Sequence, residues 1–87
     1  MRYTVVWKPE ADDELASLWM SCLDQRRFSV AANAIDPTLK DDPSQKGQWI
    51  DDQTKELYIY PLSVVFEIVE ADRQVRVLKI KLDPSAG

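Results

Sequence analysis

The sequence predicts an α+β fold: an N-terminal strand, an α-helical hairpin, then a three-stranded antiparallel meander, with one sheet carrying the helices on one face. Three observations predict it. Residues 2 to 7 alternate as a strand does, residues 9 to 42 carry two apolar stripes at helical spacing, and residues 55 to 82 return to alternation in three runs separated by turn formers. With 87 residues there is room for one hydrophobic core, so 1–87 is expected to be a single domain, with 1–7 the strand, 9–42 the hairpin and 55–82 the meander.

In the opening strand Tyr3, Val5 and Trp7 share one face, and Arg2, Thr4 and Val6 the other. Pro9 suits the first helical position, where a missing N–H costs nothing. Glu10, Asp12, Asp13 and Glu14 complement the positive end of the helix dipole, each worth roughly 0.3–1 kcal/mol, and need no chemical role to be explained. They also make a poor cation site, because successive helical residues point about 100° apart and cannot converge on one ion. Leu15, Leu18, Trp19 and Cys22 form the first buried stripe. After a break at residues 24–27, Phe28, Ala31, Ala34 or Ile35, and Leu39 form the second. Pro37 predicts a kink or a restart there. The segment KDDPSQKG, residues 40–47, reads as a connection, and Trp49-Ile50 either as a short strand or as a loop anchor.

The meander is expected at 55–60, 64–70 and 75–82, with Pro61 opening a type I turn and Ala71-Asp72-Arg73-Gln74 supplying the second reversal. Placing Leu57, Ile59, Phe66, Ile68, Leu78, Ile80 and Leu82 under the helices leaves Tyr58, Tyr60, Val65, Glu67, Val69, Val77, Lys79 and Lys81 on the open side. A four-residue loop at 61–64 opposes Tyr58 to Glu67, and a three-residue loop at 72–74 opposes Glu67 to Lys79. One row then reads Tyr58, Glu67, Lys79, with Tyr60, Val65, Lys81 beside it. Its simpler meaning is a cross-strand ion pair of roughly 0.2–1 kcal/mol with aromatic neighbours. Its chemical meaning is RNA cleavage without a metal: Lys79 and Lys81 hold phosphate while Tyr58 and Glu67 move protons. Arg73 and Arg76 fall near the last turn, where Arg76 is expected to pair with Glu70.

Composition narrows the function classes. The chain has no histidine and one cysteine, Cys22, which rules out an intramolecular disulfide and a structural zinc site; no metal or cofactor is expected. A net charge of -4 repels polyanions, so contact with nucleic acid needs a local basic patch. No apolar run approaches ~18 residues, so no membrane partner is expected, and the chain reads as cytoplasmic.

The element order, with YTVVWKPEADDELASLW at residues 3–19 and LYIYPLSVVFEIVEADRQVRVLKI at 57–80, resembles the RelE/ParE superfamily of type II toxin components, roughly over residues 2 to 82. The resemblance implies that the opening strand joins the meander's sheet and that the helical hairpin covers one face. It implies that the other face does the work: RNA cleavage on the ribosome in RelE-like members, gyrase inhibition in ParE-like members, antitoxin wrapping in both. On that reading the protein is a toxin component or toxin-derived domain neutralised by an antitoxin. If an enzyme, it is a metal-independent endoribonuclease, an mRNA interferase, using Tyr58, Glu67, Lys79 and Lys81, with Tyr60, Val65, Val69 and Val77 binding the partner. The tail KLDPSAG holds neither of the late Tyr or His residues that active RelE-like members share. The alternative is a non-catalytic interaction domain, homodimeric through its open sheet.

Overall fold

The computed structural model describes residues 2–86; Met1, the first residue of the expected strand, and Gly87, the last of the expected domain, lie outside the described residues. The chain runs β1 (Thr4–Trp7), α1 (Pro9–Ser21), α2 (Gln25–Lys40), β2 (Gln48–Trp49), β3 (Thr54–Ile59), β4 (Leu62–Val69) and β5 (Gln74–Leu82), with short 3-10 turns at Pro43–Gln45, Glu70–Asp72 and Pro84–Ala86. The strands form one five-stranded sheet in the order β1-β5-β4-β3-β2. β1 lies parallel to β5, and the other neighbours are antiparallel. The sheet is therefore mixed, with the expected meander at its centre. Trp49 takes the strand option, as half of the edge strand β2.

Both helices cover the same face. Ala11 of α1 and Phe28, Ala31, Ile35 and Leu39 of α2 are buried with Leu62, Val64, Phe66, Val75, Val77 and Ile80 of the sheet. Tyr3, Val5 and Trp7 pack against that cluster, as their shared face predicts, and the Trp7 indole N–H donates to Asp36 of α2 at 2.8 Å. Asp24 caps α2 by accepting from the Arg27 N–H at 3.0 Å. Ile35, not Ala34, is the buried member of its stripe. Cys22 is buried as expected but lies just past α1, and Trp19 is 37% exposed, its ring edge-on to Phe28 at 5.7 Å.

Of the kink or restart expected at Pro37, the restart does not occur, since α2 runs through it, and the first hairpin turn is corrected. The carbonyl that a residue 37 N–H would have met belongs to Asn33, and both Asn33 and Pro37 are exposed, so the loss falls on the outer side of the helix. The first hairpin turn is the two-residue Tyr60-Pro61 pair with a cis peptide bond, not a four-residue loop, so Ile59 opposes Leu62 and Tyr58 opposes Ser63.

A bulge alters β5. Val65 opposes Lys79 while Phe66 opposes Val77, so Leu78 is an extra residue in the ladder. Val77 and Ile80 both point inward and are fully or almost fully buried, which leaves Leu78 and Lys79 together on the open side. The expectation that Val77 faces out and Leu78 faces in is thereby reversed.

Candidate functional site

The face away from the helices is built from alternate residues of three strands. Its rows read Tyr58–Ser63–Lys81, Glu56–Val65–Lys79 and Thr54–Glu67–Arg76. Of the four residues expected to act together, Tyr58 and Lys81 share a row, while Glu67 and Lys79 stand in two others. The expected row of Tyr58, Glu67 and Lys79 does not exist, because the shorter first turn and the β5 bulge shift both registers.

The charges on this face are largely matched. Arg76 Nη1 lies 3.6 Å from Glu67 Oε1, directly across the ladder, and not against Glu70, which instead accepts from the Tyr3 hydroxyl at 2.8 Å. Lys81 Nζ lies 3.4 Å from Glu56 Oε2, one row away. Both pairs are partly exposed and individually weak. Among the described residues Lys79 is the cation of this face with no carboxylate within 4.0 Å. Between the charges lie half-buried Val65, Val69 and Leu78. Val77, expected to bind a partner here, is buried on the opposite face.

At the hairpin end the face closes into an aromatic corner. The Tyr58 ring is 55% exposed and meets Tyr60 edge-on at 6.3 Å, and the Arg27 guanidinium stacks over Tyr60 at 5.0 Å. The Tyr58 hydroxyl donates to Asp83 Oδ2 at 2.5 Å. That hydrogen bond pushes the phenol up to about 12, and together with those from Ser85 it holds the Asp83 carboxyl below its usual range. Asp83 is itself fixed: its other oxygen accepts from the Ser85 amide at 2.9 Å and hydroxyl at 2.7 Å, and its N–H donates to the Pro61 carbonyl at 2.8 Å. Asp83 and Arg27 were not foreseen as site residues. The signal for Asp83 was present in Asp83-Pro84-Ser85, a turn-forming triplet whose side chain binds its own backbone.

With its hydroxyl donating to Asp83, Tyr58 is placed as a hydrogen-bond donor and not as a base. Glu56 and Glu67 face cations, and Asp83 is engaged by three donors. The face thus offers Lys79 and Lys81 to an anion but presents no unengaged carboxylate beside them. No group of three metal-ligating side chains occurs among the described residues.

Solved structures share this architecture. The chain superposes on the toxin–antitoxin complex RelBE2 of Mycobacterium tuberculosis with a TM-score of 0.77 at 16% identity, covering 94% of this chain and 92% of that one. The fold is RelE-like. An archaeal RelE–RelB complex from Pyrococcus horikoshii gives 0.69 at 17% identity over 99% and 100% of the two chains. The E. coli toxin RelE, a doubly substituted variant in the free state, gives 0.69 at 10% over 98% and 87%. No protein-family model and no curated protein matches the sequence. Among the described residues no helix is long and apolar enough to cross a membrane.

Proposed function

We propose that the protein is the toxin component of a type II toxin–antitoxin system, or a domain derived from one, acting in the cytoplasm with its open sheet face covered by an antitoxin. The observation that carries this reading is the agreement of 94% and 99% of the chain with chains from two toxin–antitoxin complexes. The half-buried Val65, Val69 and Leu78 beside exposed Tyr58 give such a partner an apolar strip to cover.

For the inhibitory step, the matched charges favour docking onto a target over RNA cleavage. Cleavage by Tyr58, Glu67, Lys79 and Lys81 needs a base at the 2′-hydroxyl, and Tyr58 and Glu67 are each engaged elsewhere. Docking needs only the face. Induced expression of the chain, alone and together with the product of the adjacent reading frame, tests the reading. Growth arrest alone, with relief and co-purification on co-expression, is expected, and primer extension on ribosome-bound messages is expected to find no new cuts. A chain that causes no arrest and purifies as a monomer of 10.0 kDa beside that product would sink the proposal.

A further inference from the structure

At the β2 edge of the sheet, the hairpin β2–β3 exposes two adjacent large apolar residues, Trp49 at 57% and Ile50 at 54%. This is not a frayed segment. Asp51 Oδ1 accepts from the Gln53 and Thr54 amides at 2.8 and 2.9 Å, and the Ile50 N–H donates to the Thr54 carbonyl at 2.9 Å. The exposure is therefore built into a closed turn. Beneath the ring, Lys55 Nζ sits 4.8 Å from its centroid and donates to the Ser44 carbonyl at 2.6 Å. The indole already carries one cation from the inside and keeps more than half its surface open.

Between Trp49 and the end of β4 lies a groove of about 460 Å³. Trp49, Ile68 and Val69 give it apolar walls, and no lysine or arginine lines it; of its three carboxylates Glu67 is paired with Arg76 and Glu70 accepts from Tyr3, which leaves Asp52 without a cation within 4.0 Å among the described residues. Such a lining repels a phosphate backbone. It also disfavours a second copy, which brings a net charge of -4.

We propose that this groove docks a cationic polypeptide segment, one arginine of which lies against Trp49 with its guanidinium on Asp52, the groove carboxylate that has no cation within 4.0 Å among the described residues. Arginine fits better than lysine because its planar head stacks on an aromatic ring and bonds carboxylates at the same time. The inference stands on the groove alone and does not depend on the antitoxin reading.

The test is an NMR titration of the isotopically labelled full chain with three short peptides of equal length, alternating leucine with arginine, with glutamate or with serine, and with a single-stranded RNA. The arginine peptide is expected to shift the amides of Trp49, Gln53 and Val69, to weaken with added salt, and to lose about tenfold in affinity in Asp52→Asn and more in Asp52→Lys. Asp52 is exposed, so these variants are expected to keep the spectrum of the rest of the chain. Equal binding by the glutamate or serine peptide, no binding by the arginine peptide at millimolar concentration, shifts mapping elsewhere, or indifference to Asp52→Lys would each overturn the proposal. So would RNA occupying the groove, or a doubled mass placing a second copy there.

Discussion

Tyr58 shows how one hydrogen bond decides what a residue on an open face can do. Its donor is committed to Asp83, and the two groups move in opposite directions: the phenol rises to about 12 and the carboxyl falls below 3.8. Because the folded phenol titrates above its ordinary 10, the stability this bond supplies is fully present below about pH 10 and lost as pH rises through about 12. For the depressed carboxyl the stability is present above 3.8 and lost as pH falls through the lower folded value. The Tyr58 phenol, followed by its ring carbon resonance, is expected to return to about 10 in Asp83→Asn, where the bond is to a neutral amide. A midpoint unchanged by that substitution would remove the assignment. Lys55 is the opposite case, a residue only 2% exposed whose ammonium is lowered by desolvation, with a carbonyl and a ring as partners but no carboxylate within 4.0 Å among the described residues. Its folded value lies below 10.5, so stability is expected to increase as pH rises from that value to 10.5. Lys55→Met, which keeps the stem and removes the charge, is expected to change stability by no more than about 1 kcal/mol in urea unfolding, whereas Lys55→Glu costs about 3 kcal/mol or more.

At the scale of elements, the bulge in β5 decides which residues face outward. Val77 has no exposed surface, whereas Val69 is half-buried on the open side. Val77→Asp is accordingly expected to cost about 3 kcal/mol or more in urea unfolding and Val69→Asp less than about 1 kcal/mol; similarly small costs at the two positions would restore unbroken alternation. The edge strand β2 depends on Gly47, whose φ is +64° and whose absent Cβ would lie within 3 Å of the Glu56 carbonyl oxygen. Gly47→Ala is expected to cost about 1–3 kcal/mol and to loosen the Trp49 turn, seen as faster hydrogen exchange at Ile50 and Thr54. These two features also mark where the sequence stops being legible. Helices, strands and, except in the first half of β5, their inward faces followed from period, because burial of Phe28, Ile35, Leu39, Phe66 and Ile80 is a property of each segment alone. Register did not, because it hangs on turn length and on one inserted residue. Pro61 is compatible with either turn length, and nothing in VRVLKIKL says that Leu78 is supernumerary. Asp83 was missed for the same reason: its partner Tyr58 is 25 residues away and meets it only through the tail's turn.

For the molecule as a whole, the question is whether the sheet face works by chemistry or by contact. Arg76, Lys79 and Lys81 stand against Glu56 and Glu67 on it, and the whole chain carries -4, so neither local nor overall charge draws RNA strongly. Phosphate binding would rest on Lys79 and on Lys81 after it leaves Glu56. If the proposed toxin acts by docking through the aromatic corner and the apolar strip, a Lys79→Ala, Lys81→Ala double variant keeps growth inhibition within about twofold of wild type, because exposed charges contribute little to such contacts. If it cuts RNA, the same variant loses inhibition by about a hundredfold or more, since the scissile phosphate is left without its cations. Tyr58→Ala is expected to give the opposite pattern, with inhibition lost because an exposed aromatic anchor is gone, while Tyr58→Phe, which keeps the ring and gives up the bond to Asp83, retains most of it. Each variant is read at equal soluble expression and after confirming an unchanged far-UV spectrum. A double lysine variant that no longer arrests growth while remaining folded would therefore move this sheet from a surface that binds to one that catalyses.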